Sequence, residues 1–177
     1  MSSMIEEQHV IREIEGDILQ SRAQVIAHGI APHDHFDTGL ALALRERWPS
    51  MVRDYRHAIH DKPLEPGQIW AWSGVDADGS TRSIVNLLTQ DMLHRGPSAK
   101  PGKATLENVG RALKALARHV REQNIRSLAL PRLATGVGGL EWSDVKPLVQ
   151  QHLGDLGVPV IVYETYRSGV AADEGLG

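Results

Sequence analysis

Leu128-Ala-Leu-Pro-Arg-Leu-Ala-Thr-Gly-Val-Gly-Gly-Leu-Glu-Trp142 is the stretch on which the fold turns. It reads as a buried strand over 128–133, a glycine-rich loop over 135–139, and a helix opening near Trp142-Ser143-Asp144. Strand, glycine-rich turn and helix, in that order, is how α/β proteins cradle a phosphate: glycines admit close approach, and free N–H groups face the anion. The spacing is neither the P-loop, which needs Gly-Lys-Ser/Thr, nor GxGxxG. The bland alternative is a plain strand-to-helix turn, which most such loops are.

Working outward, residues 10–15 alternate apolar and polar side chains, as a half-exposed strand does, and Gly16-Asp17 breaks the run. Residues 25–30 form a short buried strand, followed by a histidine-rich polar loop over 32–37. Helices are expected over 39–48 and 51–60, with Pro49 between them. Residues 68–73 and 82–89 flank the turn signal Asp76-Ala-Asp-Gly79 and read as a hairpin. Residues 104–123 are the longest helix, with Leu106, Val109, Leu113, Leu116, Ala117 and Val120 on one face. A strand over 159–166 closes the chain. Strands alternating with helices predict an α/β, three-layer α/β/α sandwich on a mixed, mostly parallel sheet of about six strands. Ligands then bind at the carboxyl ends of strands, where the loops at 16–18, 31–38, 89–103 and 134–140 all fall.

The 177 residues suit one domain over 1–170, with 171–177 as a disordered tail. A formal charge of −3 carries no basic footprint, which disfavours a nucleic-acid module. Zero cysteines exclude disulfides and thiolate metal sites and suit a cytoplasmic protein. No apolar run reaches membrane-span length, so no membrane partner is expected.

The same loops carry a resemblance to the macrodomain family, the ADP-ribose-binding fold. Glu15-Gly-Asp-Ile18 resembles its first-strand signature, in which the Asp receives the adenine amino group. Ala27-His-Gly-Ile30 with Phe36-Asp-Thr-Gly-Leu-Ala41 resembles the distal-ribose loop, and Val85-Asn-Leu-Leu-Thr-Gln90 the strand before a catalytic loop. The opening stretch resembles the diphosphate loop, and Val160-Ile-Val-Tyr163 the closing strand beside adenine. The likeness spans about residues 10–165 and is greatest for the subgroup of the terminal ADP-ribose glycohydrolase and the DNA ADP-ribosyl glycohydrolase antitoxin. It implies that Asp17, Ile18, His28, Ala31, Thr38, Gly39, Thr89, Thr135, Gly136, Val137, Gly138, Gly139 and Tyr163 bind the ligand. The implied partner is ADP-ribose or an ADP-ribosylated macromolecule, nucleic acid entering only as such a substrate, with no cofactor and no metal.

From the residues alone, the alternative reading of Asp17 is a helix or turn cap, of His28 a core histidine bonded to backbone, and of Tyr163 or Tyr166 strand packing. Where the resembled subgroup has a catalytic lysine, this chain has Gln90, which forms no covalent intermediate. An acidic loop residue of some relatives corresponds to Gly138, and a ribose-side Asn roughly to Ala31. A water mechanism is therefore expected, with His33, His35, Asp37 and Gln90 as the catalytic candidates. A solvated polar loop is the competing reading of His33-Asp34-His35, which lacks the spacing of a metal site. Asp91 and His94 are further acid/base candidates, and Lys100 and Lys103 could reach inward past Pro97 and Pro101. Hydrolysis of an ADP-ribosyl linkage, of ADP-ribose-1″-phosphate or of O-acetyl-ADP-ribose leads; a non-catalytic ADP-ribose reader is the alternative.

Overall fold

Residues 11–93 and 100–176 are described by a computed structural model of the chain. Eight strands run in chain order: β1 Arg12–Gly16, β2 Val25–Ile30, β3 Ile69–Val75, β4 Thr81–Leu88, β5 Gln90–Met92, β6 Pro101–Ala104, β7 Leu128–Pro131 and β8 Val160–Tyr166. The helices are α1 Gly39–Arg47, α2 Pro49–Asp61, α3 Leu106–Glu122 and α4 Trp142–Leu153, and a short 3-10 turn spans Ile18–Gln20. Six strands form one sheet in the order β1-β8-β7-β2-β4-β3, parallel throughout except where β3 returns against β4. This is the expected mixed, mostly parallel α/β sheet.

The pleat of β4 sorts its side chains between two cores. Val85 and Leu87 face α3 and α4, meeting Val109, Leu113, Leu116, Val145 and Val149. Ile84 and Leu88 face α1 and α2, meeting Leu44, Met51, Val52 and Tyr55. Helices therefore cover both faces, and the buried stripe of α3 carries Val109, Leu113, Leu116, Ala117 and Val120 as its periodicity predicts, whereas Leu106, placed on the same face by the sequence, is exposed in the first turn. Thr105 caps α3 by accepting from the Asn108 N–H at 3.0 Å. Pro49 does not merely interrupt a helix: it opens α2 in the first turn, where its missing N–H has no helical partner to lose.

Residues 89–103, expected as loop, contain the small antiparallel β5–β6 ribbon. Asn108 Nδ2 donates to Asp91 Oδ1 at 2.8 Å and ties that ribbon to α3. The expected tail also differs. Glu174 is 8% exposed and accepts from Ser21 Oγ at 2.6 Å, Arg22 N at 2.7 Å and Tyr163 Oη at 2.9 Å. Ala172 and Leu176 pack on Ile18, Ala129 and Ile161. Residues 171–176 thus form a strap rather than a frayed end, because one buried carboxylate gathers three donors. Among the described residues, no helix is long and apolar enough to cross a membrane.

Glu174→Ala would leave three donors without their acceptor, two of them (Ser21 Oγ and Tyr163 Oη) buried. The expected loss is about 2 kcal/mol, a melting-temperature drop of roughly 5 °C for a chain of this size. Calorimetric melting of both chains checks it; an unchanged midpoint would show the strap to be structurally idle.

Candidate functional site

Parallel pairing puts the carboxyl ends of β7, β2 and β4 side by side. Two neighbouring cavities open there, sharing Gly39, Leu40 and Pro131. The main one, about 310 Å³, runs from His28, Gly29, Thr89 and Gln90 past Asp34, Asp37 and Thr38 to Arg132 and Gly136–Gly138. The second, about 370 Å³, has an apolar wall formed with Ile18, Ala43, Tyr163 and Tyr166.

Ala134 (φ 63°) and Gly139 (φ 79°) are the left-handed residues that fold the loop after β7. Leu140 N donates to Ala134 O at 2.9 Å, Gly139 N to Gly136 O at 3.0 Å, and Ala104 N to Gly138 O at 3.0 Å. With those bonds made, the amides of residues 135–138 have no partner among the described residues. A run of free amides like this has the chemistry to receive an anion. A side chain at Gly138 would stand 2.6 Å from Ala134 O, whereas one at Gly136 would meet open space. Lys103 lays its stem across Gly139, and its Nζ donates to Val137 O at 3.4 Å.

Asp17 adopts the capping role that its position allowed. Its Oδ1 accepts from Leu19 N and its Oδ2 from Gly169 N, both at 2.9 Å, and it stands beside the apolar wall rather than on it. Its oxygens retain further lone pairs. Tyr163 lies on that wall, its hydroxyl pushed to a raised pKa by burial and by the Glu174 carboxylate. Thr135 and Gly139 support the loop from behind: Thr135 Oγ1 donates to Arg132 O at 2.8 Å.

At the other end, Phe36 takes a left-handed conformation (φ 53°) and inserts fully into the core. Asp34 braces this turn, accepting from Ala31 N at 3.1 Å and Phe36 N at 2.8 Å. Ala31 is consequently buried behind the wall. Asp37 and Thr38 reach the cavity, while His33 and His35 point to solvent, on neither cavity wall. His28 is 2% exposed and bonds Asn86 Oδ1 through Nε2 at 2.6 Å, a side-chain partner instead of the expected backbone one. Burial lowers its pKa, partly offset by Asn86 and Asp34, so the ring is neutral near pH 7. Gln90 Nε2 donates to Gly102 O at 2.9 Å. Asp91 turns to α3, and His94 lies outside the described residues. Among the described residues, no three His, Cys, Asp or Glu side chains group as a metal site.

Arg132 also lines the main cavity, a role that its sequence context does not announce. Its guanidinium sits 5.6 Å over the Trp142 ring and 3.3 Å from Glu164. Trp142 Nε1 and Lys146 Nζ both donate to Glu13 at 2.7 Å, holding that carboxylate below its usual pKa, Lys146 most strongly. The signal lies in Pro-Arg-Leu ahead of the glycines and Trp142 ten residues on, but an unpaired arginine in a sequence does not reveal its direction.

A family model described as Macro domain matches residues 28–149. The chain belongs to the macrodomain family. It is 30% identical over 156 residues to a DNA ADP-ribosyl glycohydrolase of Thermus aquaticus, covering 88% of this chain and 41% of that protein. It is 29% identical over 157 residues to a DNA ADP-ribosyl transferase–DNA ADP-ribosyl glycohydrolase fusion protein of Thermosipho africanus, covering 85% of this chain and 40% of that one. The chain thus spans about two-fifths of the length of these relatives. Among solved structures, the macrodomain of Thermus aquaticus DarG superposes with a TM-score of 0.74 at 29% identity, covering 88% of this chain and 99% of that one.

The glycine geometry separates packing from access. Gly138→Ala drives a methyl into Ala134 O and is expected to cost about 1–3 kcal/mol, whereas Gly136→Ala leaves the melting temperature within about 1 °C of the parent. Thermal melts of the two variants decide it; equal tolerance at both positions contradicts the loop geometry.

Proposed function

We propose that this chain binds ADP-ribose, free or attached to a macromolecule, and hydrolyses an ADP-ribosyl linkage with water as the nucleophile. The carrying observation is the order of chemistries along one cleft. An apolar chamber (Ile18, Leu40, Tyr163) suits a flat base, free amides at 135–138 suit a diphosphate, and a polar end suits a sugar. Asp17, beside the chamber, keeps lone pairs for an exocyclic amine. The names of the relatives, DNA ADP-ribosyl glycohydrolases among them, support the same ligand and reaction. The attachment atom belongs to the proposal: a nucleic-acid base, a protein side chain, a 1″-phosphate or an acetyl ester.

In this reading, for a substrate linked through C1″, the bond from C1″ to the leaving atom breaks while a water oxygen bonds to C1″; for an acetyl ester the water bonds to the acyl carbon and the ester C–O bond breaks. Asp37, on the cavity wall, takes the water's proton, which then passes to the leaving atom. Gln90 Nε2 is engaged by Gly102 O, so its Oε1 is the end available to orient that water. His33 and His35, both exposed, contribute only if their loop turns inward on binding. A non-catalytic reader is favoured by one observation: Gln90 stands where the resembled subgroup carries its lysine.

Calorimetry with ADP-ribose and a release assay on ADP-ribosylated DNA, ADP-ribosylated protein and ADP-ribose-1″-phosphate test this. Asp37→Asn is expected to slow release by about 100-fold while ADP-ribose affinity stays within about twofold. Wild-type binding without release from any substrate makes the chain a reader; no heat with ADP-ribose sinks the proposal.

A further inference from the structure

We infer that Glu174 is a positioning residue for base recognition: from outside the cleft, its carboxylate clamps the Ile18–Gln20 turn to Tyr163 and so fixes the width of the apolar chamber. This rests on the ADP-ribose reading above and makes the affinity for the base depend on a group that never touches it.

Two of the chamber's walls come from distant parts of the chain. Ile18 stands on the turn after β1, and Tyr163 on β8. Ser21 ends that turn, its N–H donating to Ile18 O at 3.0 Å. Glu174 takes both sides at once. Its Oε2 accepts from Ser21 Oγ at 2.6 Å and from Tyr163 Oη at 2.9 Å, while Oε1 accepts from Arg22 N at 2.7 Å. Hydrogen bonds to a carboxylate are the short, strong kind. A tyrosine held at its hydroxyl has its ring axis fixed as well.

The segment leading into the strap holds Asp17 in the same way. Asp17 N donates to Val170 O at 2.7 Å, and Gly169 N donates back to Asp17 Oδ2 at 2.9 Å. Arg167 N reaches Gly16 O at 2.9 Å, and a Cβ on Gly16 would stand 2.7 Å from Ala172 Cβ. Residues 167–174 therefore grip the end of β1, the turn and β8 together. Glu174 itself lies on neither wall of the cleft. Its loss removes no ligand contact but lets Ile18 and Tyr163 drift apart. A base gripped between those walls suffers from that drift. A diphosphate on residues 135–138 does not, because that loop hangs from β7 and from the Ala104–Gly138 bond.

The experiment is ADP-ribose calorimetry, with ribose 5-phosphate followed by NMR titration as the base-free probe. It uses the wild-type chain, Glu174→Ala and Glu174→Gln, at a temperature where circular dichroism shows each folded. Glu174→Ala should lose on the order of tenfold in ADP-ribose affinity and bind ribose 5-phosphate as the wild type does. Glu174→Gln should recover most of the loss, because Oε1 still accepts from Arg22 N and the two hydroxyls can turn to accept from Nε2. By linkage, a ligand that binds the clamped form more tightly also holds the clamp shut. ADP-ribose should therefore slow hydrogen exchange at the Arg22, Gly169 and Val170 amides of the wild-type chain by about the same factor, and ribose 5-phosphate should not. That measurement needs no variant. Unchanged exchange there, equal losses for both probes in Glu174→Ala, or a Glu174→Gln chain as weak as Glu174→Ala overturns the inference while the ADP-ribose reading stands. A wild-type chain that binds no ADP-ribose overturns both.

Discussion

Everything at this site depends on β2 being hydrogen-bonded in parallel on both sides, to β7 and to β4. Parallel pairing forces three strands to end at one edge, and each end must hand over to a loop without helical or sheet partners. Ala27 and Val85 are fully buried under α3, so a register slip would expose the core. The same register sets His28 against Asn86, while β7 delivers the glycine loop opposite. Core packing and site geometry are one constraint.

That constraint explains how, under the proposed function, a chain with formal charge −3 would receive a diphosphate without a strongly basic wall. The loop turns twice through left-handed residues, commits its carbonyls inward, and leaves four consecutive amides without a partner among the described residues. Positive charge is sparse: Lys103 rests on Val137 O, and Arg132 is held by Glu164 and Trp142. Under the proposed function, backbone dipoles, which need no charged side chain, would supply most of the anion recognition.

Element order was legible because each helix and long strand shows its own period: the buried face of α3 follows the spacing of Val109, Leu113, Leu116 and Val120. The glycine loop was legible because its residue types are rare outside turns. The β5–β6 ribbon was not, since Gln90–Met92 is too short to display a period. Nor was the Glu174 strap, whose partner Ser21 lies 153 residues away. At the histidine-rich loop, sequence crowding did not tell which side chains turn inward. Phe36, inserted in the core, decides it, bringing Asp37 to the cavity and sending His33 and His35 to solvent. Asp17 shows a third case, where the capping and ligand readings call for the same residue.

The central claim is that one continuous cleft receives ADP-ribose with its base at Ile18 and Tyr163 and its diphosphate on residues 135–138. Amide-resolved NMR titration of the chain with ADP-ribose tests this most directly. Saturable shifts should fall on the amides of Thr135, Gly136, Val137 and Gly138, together with Ile18, Tyr163 and the turn at Asp37–Gly39. Shifts confined to another surface, such as the Asn124–Pro159 groove, would contradict the account.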